Sequence, residues 1–187
     1  QDCVGTLARS VEDCAIILEQ IAGYDPRDPT SSKHPVPNYI AELASDLKGV
    51  RIGVVEEMLD HDGIEAETRE FVKAGITTLS ELGAEVEPVK IPLMNETAFI
   101  HAAVVDSEAA SYHREHLLHR YEDFDYNTRV RLTVGAILPA GLQTLALRVR
   151  SAVERQIIEA FDNFDILVVA TSQGGAGKIQ TKSNIHS

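Results

Sequence analysis

The chain has 187 residues, with 17 Lys+Arg against 29 Asp+Glu, a formal charge of −12, and a 44% hydrophobic share. A chain of this size buries about 70% of its unfolded surface, so a real core is expected. The negative charge disfavours direct contact with nucleic acid or anionic membranes, and no apolar run approaches the roughly 18 residues of a spanning helix.

The chain opens Gln1-Asp2-Cys3 without an initiator Met and without a visible leader, so a piece of a longer protein is expected. Its two cysteines, Cys3 and Cys14, are too few for a disulfide scaffold, which predicts reduced thiols and a cytoplasmic setting. Ser10 is placed to cap a helix whose first turn carries Glu12 and Asp13, where the helix dipole favours negative charge. Val11, Cys14, Ala15, Leu18, Ile21 and Ala22 follow at spacings of three and four, predicting one buried stripe that ends at Gly23. Residues 24–39 hold Pro26, Pro29, Pro35 and Pro37, which predicts a long loop or connector.

A strand–helix–strand pattern comes next. Val50 to Val55 reads as a buried strand. Residues 65–82 read as an amphipathic helix with Phe71, Val72, Ile76, Leu79 and Leu82 inward, and Ala84 to Ile91 as a second strand. Such a crossover predicts a parallel pair. Helices are expected over about 95–120, 126–138 and 141–163, then a buried strand over Asp165 to Ala170. The class is α/β, without internal repeats.

Several residue groups invite chemistry. The strand before Ser172-Gln173-Gly174-Gly175-Ala176-Gly177-Lys178 suggests a phosphate-binding loop. Ser172 occupies the first-glycine position, however, and Ile179 stands where a Ser or Thr would hold magnesium, so a flexible glycine-rich end over 173–187 is the expectation. His113, His116 and His119 recur every three residues; neighbouring pairs have ligand spacing, but no second cluster completes a tetrahedron, so solvated or partner-facing histidines and no metal are expected. Ser31, Ser32 and Lys33 read as loop polar residues, and Cys14 as a core residue. Cys3 is a candidate reactive thiol with only Arg9 near it in sequence, and Glu122, Asp123 and Asp125 read as a solvated turn. Arg129 and Arg131 lie about 200° apart around one helix, so one can face solvent while the other points into a cleft as a clamp for a carboxylate or carbonyl.

Motif order along the chain is more specific than any one of these. Asp2, Val4, Gly5, Ala8, Arg9, Ser10, Val11, Glu12 and Asp13, then Gly23, Asp25, Pro26 and Asp28, resemble the amidase signature family just after its serine-glycine block. Leu47 to Val54, Leu82 to Val86, Ser107 to Ala110 and Ala146 to Arg150 are similar to later family segments, in order. The likeness covers residues 1–172, read as the C-terminal part of an amidase-signature domain: a partial fold with a mixed sheet, a βαβ unit and several flanking helices.

The resemblance implies hydrolysis of carboxylic amides by a Ser nucleophile, a Ser in a cis peptide and a Lys, with no cofactor. In the family these precede the first residue here, so no catalytic residue is assigned to this chain; the parent is expected to hydrolyse a small-molecule amide, and the chain alone to need its N-terminal catalytic half. Arg131, in Arg131 to Gly135, is similar to the arginine that holds the substrate carboxylate in glutamine-dependent members, and is the one substrate-binding candidate. The stretch Gly135 to Arg150 lacks the paired tyrosines and Asp of the tRNA-amidotransferase A subunits, which places the chain nearer the stand-alone amidases. Gly5-Thr6 replaces the usual Gly-Pro. The alternatives are a non-catalytic binding module on the amidase fold, or a piece of a glutamyl-tRNA(Gln) amidotransferase A subunit.

Overall fold

The computed structural model describes residues 4–43, 46–59 and 62–177, in two compact units that divide after Leu47. Cys3 and Lys178 to Ser187 lie outside the described residues.

The first unit contains helix α1 (Val11–Ile21) and the short α2 (Tyr39–Glu42). Ser10 caps α1 as expected, its hydroxyl accepting the Asp13 amide at 3.1 Å. Gly23 follows with φ at +148°, a value that side-chain-bearing residues avoid. The stripe is only partly buried: Ala15 is enclosed and Cys14 half-buried, while Val11 and Ile21 are exposed. Within this unit the helix has little besides the four residues of α2 to bury them against.

The second unit is the α/β layer. Strand β1 (Arg51–Val55) is central, with β2 (Glu85–Val89) and β3 (Ile166–Val168) beside it in the order β2-β1-β3. Both pairings are parallel, so the part of the expected mixed sheet that falls among the described residues is parallel. Helix α3 (Ala66–Glu81) makes the predicted crossover from β1 to β2. Of its five expected inward residues, Val72, Ile76 and Leu79 are half-buried, but Phe71 and Leu82 are exposed. Helix α3 packs on β2 along one narrow stripe, and the helical period puts Phe71 and Leu82 together to one side of it. The β3 segment is also less enclosed than expected, with Ile166 exposed at the sheet edge. Asp165 fixes the start of the β1–β3 register: its carboxylate accepts the Arg51 amide at 2.9 Å and grips the Arg51 guanidinium at 2.7 Å.

The expected long helix over 95–120 is two helices, α4 (Thr97–Tyr112) and α5 (Arg114–His119), broken at His113. Helices α6 (Tyr126–Ile137) and α7 (Ala140–Ala160) follow. Helix α4 is apolar almost all round and sits between them, with Ile100, Ala103 and Val104 meeting Ala146 and Val153 of α7 in one core cluster. A second cluster, Val55, Ile91 and Ala160, joins α7 to the sheet, and Met94 and Ile157 border both. Thus α7 fixes the helical layer to the strands.

Candidate functional site

The helical layer holds Arg131 in place through α4. Arg131, Leu132 and Gly135 share one face of α6, because positions three and four apart overlie one another on a helix. Leu132 is buried, and a Cβ on Gly135 would overlap the carbonyl group of Asp106 on α4. Only glycine lets the two backbones come this close. That closeness brings Arg131 against Asp106: Nε and one terminal nitrogen donate to a single Asp106 oxygen at 3.1 and 2.6 Å. The Asp106 side chain is 13% exposed and the Arg131 side chain 55% exposed. The carboxylate is therefore enclosed, whereas the guanidinium keeps an open edge. An enclosed carboxylate on an apolar helix needs such a partner.

Beside this crossing lies a cavity of about 660 Å³, with Ser107, Glu108, Ser111, Tyr112, Arg114 and Gln143 as its polar lining and Gly135 in its wall. Gly135 is the link between cavity and ion pair; Arg131 itself does not line the cavity. Ser107 turns its hydroxyl back to the carbonyls of Ala103 and Val104 at 2.7 and 3.0 Å, so that hydroxyl is already committed as a donor.

The other candidates fall elsewhere. Arg129, expected on the opposite side of α6, is not free in solvent: it pairs with Glu122 and lies over the Tyr121 ring at 5.4 Å. It is the more enclosed of the two arginines, at 21% exposure. The acidic turn is likewise put to use. Asp125 caps α6 through the amides of Asn127 and Thr128, Asp123 pairs with Arg120, and Glu122 takes Arg129. The Thr128 hydroxyl, then the Thr128 amide, holds the Asp125 carboxyl below its ordinary range.

Ser31, Ser32 and Lys33 build the loop. The Ser31 oxygen accepts the Asp25 amide at 2.9 Å, the Ser32 oxygen accepts the His34 amide at 3.2 Å, and Lys33 lies 5.5 Å from the Tyr24 ring centre. The half-buried Cys14 thiol points to the Thr6 carbonyl at 3.9 Å. In the glycine-rich segment, the Gln173 carbonyl accepts the Glu65 amide at 2.8 Å, and a Cβ on Gly174 would meet the Glu65 carboxylate at 2.6 Å. Residues 173–175 thus close over the start of α3. Among the described residues no three His, Cys, Asp or Glu gather as a metal cluster, and no single helix is long and apolar enough to cross a membrane.

Sequence reasoning singled out Arg131 but not Asp106, the carboxylate it pairs with. The signal was available: Asp106 is the one charge within Ala102 to Ser107, in a helix otherwise apolar at that level. A lone acid in such a stretch demands a cation across the packing interface.

The fold is similar to that of a bacterial aryl acylamidase of the amidase signature enzymes, with a TM-score of 0.71 at 18% identity over 90% of this chain and 38% of that one. One similar structure, described as a vestigial protein complex that reveals the origins of an s-triazine catabolic enzyme, is 28% identical with a TM-score of 0.74, over 91% of this chain and 38% of that one. The family model named Amidase matches residues 1–187, and the chain belongs to the amidase family. It is 34% identical to an amidase of Pseudomonas putida over 91% of this chain and 36% of that protein. It is 30% identical to the A subunit of the glutamyl-tRNA(Gln) amidotransferase of Brachyspira hyodysenteriae, over its whole length and 44% of that protein. The chain therefore spans well under half the length of the curated relatives it matches.

Proposed function

We propose that this chain is the scaffold and one substrate-facing wall of an amidase that hydrolyses the C–N bond of a small-molecule amide. The catalytic Ser, cis-Ser and Lys come from a preceding half, and Arg131 contacts the substrate. The observation that carries this reading is the Arg131–Asp106 pair, which presents a guanidinium from a fixed point with one edge open. Asp106 neutralises the charge that would attract a free carboxylate, so the open edge suits a carbonyl or other uncharged acceptor better. That agrees with a stand-alone amidase more than with a glutamine-dependent enzyme. The −12 charge supports an enzyme that leaves nucleic acid to other molecules, and the low cysteine count supports a cytoplasmic setting.

Ammonia release tests both parts. The purified chain is expected to release none from simple amides or from glutamine, and release above blank overturns the division of labour. In the longer protein, Arg131→Ala should lower kcat/KM by about tenfold or more, as expected for a charge-assisted contact worth about 1.5–3 kcal/mol. Unchanged kinetics removes Arg131 from the substrate.

A second reading, a non-catalytic binding module, draws on the apolar side chains left open along α6: Val130, Val134 and Ile137, the last 75% exposed. A monodisperse monomer that meets no other half would favour it. Recovery of a stable complex with a separately supplied N-terminal half favours the enzyme wall.

A further inference from the structure

The carboxyl ends of the three strands frame a cavity that the amidase reading does not use. The chain passes from β1 to β2 through α3, then returns to the sheet on the other side of β1 as β3. All three strands are parallel, so the order of winding reverses at β1. In open α/β sheets, the crevice outside the carboxyl ends of the strands at such a point is the usual place for a ligand.

A cavity of about 580 Å³ lies there. Each strand's outgoing segment supplies part of its wall. Glu57 and Met58 follow directly on β1, Met94 and Asn95 belong to the helical turn Pro92–Glu96 that follows β2, and Gln173 lies beyond β3. His101 of α4 adds an imidazole. The Glu57 carboxylate is fixed, because one of its oxygens accepts the Ile91 amide at 3.0 Å. Ile91 is fully buried in the cluster that joins α7 to the sheet, which makes it a firm anchor.

Charge decides what the cavity takes. Its lining has one carboxylate, Glu57, and no Lys or Arg. Lys90 turns instead to Glu56, 3.6 Å away. Among the described residues, the Ile91 amide is the one partner of Glu57, and the side chains of Asn95, His101 and Gln173 have none. An anion would meet a carboxylate with nothing to offset it, whereas an ammonium supplies the missing counter-charge. Asn95 and Gln173 bring amide oxygens to the same cavity, and the two methionines offer a carbon chain an adaptable apolar wall. We propose that this cavity binds a primary alkylammonium ion, its ammonium on the free Glu57 oxygen and its alkyl chain along Met58 and Met94. The site depends neither on Arg131 nor on the amidase reading.

Calorimetric titration of n-butylammonium into the chain and into the longer protein tests the assignment, with n-butanol and butyrate as probes of similar size. The titrations run in about 0.15 M salt at about pH 8, where the overall charge is screened and ordinary imidazoles are uncharged. One amine site is expected in both proteins, with the alcohol and the anion at least about tenfold weaker, as loss of a charge-assisted contact implies. Glu57→Gln keeps an acceptor for the Ile91 amide while removing the charge, so it should cost a similar factor without a change in circular dichroism. Glu67→Gln removes the same charge from an exposed position on α3 and should leave the affinity unchanged. Absence of amine binding, equal affinity for amine and alcohol, or binding that survives Glu57→Gln overturns the proposal. The comparison of amine with alcohol uses the unaltered chain, so it decides the matter even where the variant fails to fold. Binding to the chain that vanishes in the longer protein also overturns it, since the other half would then fill the cavity.

Discussion

Two Arg–Asp pairs join elements distant in sequence within the α/β unit, and they share chemistry but not consequence. Arg51–Asp165 joins the start of β1 to the start of β3 with both side chains nearly half exposed, at 44% and 46%. Arg131–Asp106 joins α6 to α4 with the carboxylate enclosed. Each pair has a glycine near it, at Gly53 in β1 and Gly135 in α6, and both glycines allow a close approach. At Gly53 the approaching atoms are side chains, Leu167 and Phe164 at 2.9 Å, whereas at Gly135 they are the backbone of α4. A side chain can turn aside; a helix backbone moves only with everything packed on it. The contrast says that the helical crossing is the rigid reference for the candidate site, and the sheet edge a more forgiving join.

Breaking the crossing should therefore have the largest effect. Gly135→Ala places a methyl inside the Asp106 peptide and is expected to cost about 3 kcal/mol or more, read as a lowered urea midpoint with unchanged slope. Gly53→Ala should cost about 1–2 kcal/mol, because Leu167 and Phe164 can shift. Equal costs at the two glycines would remove the distinction between backbone and side-chain contact.

The ion pair at the crossing should be asymmetric. Arg131→Ala leaves the Asp106 carboxylate enclosed without its cation, at a cost of about 3 kcal/mol. Asp106→Ala leaves an arginine that is already more than half exposed and can turn to water, so about 1 kcal/mol is expected. Thermal melts of the two variants at pH 7 check the order. A larger loss in the aspartate variant would mean that the carboxylate does more than hold Arg131.

The same contrast explains what could be read from the sequence. Elements were legible where the period was strong and the ends were marked: Ser10 before α1, Gly23 after it, and the crossover from β1 through α3 to β2. Apolar period alone overstated burial, because it records which residues share a face but not how wide a surface that face meets. Phe71 and Leu82 are exposed for that reason. The break at His113 was hidden, since no Gly or Pro marks it, and the contact of His113 with His116, Nδ1 to Nδ1 at 3.3 Å, depends on the turn it makes. Arg131 was visible as a candidate through motif resemblance, but its partner lies 25 residues away across a helix interface, and no local rule links them. That pairing is a property of the packed crossing and became readable only with Gly135 and Asp106 face to face.

The sheet pair supplies the smallest effect and the sharpest sign. The Arg51 guanidinium, then the Arg51 amide, lowers the Asp165 carboxyl from an ordinary 3.8 to about 2 in the folded chain. A carboxyl depressed on folding adds stability that is fully present above its unfolded value and lost as pH falls through the folded one. The contribution of Asp165 should therefore hold at pH 5 and disappear between about pH 4 and 2. Because both partners face water, salt screens the pair, and the whole effect stays small. Asp165→Asn should consequently shift the melting temperature slightly downward at pH 5, and leave it nearly unchanged at pH 2, where the native carboxyl has begun to protonate as well. Added salt should shrink the pH 5 difference, while the Arg131→Ala loss at the enclosed pair persists under the same salt. If salt erased both losses alike, burial would not be what separates the two pairs.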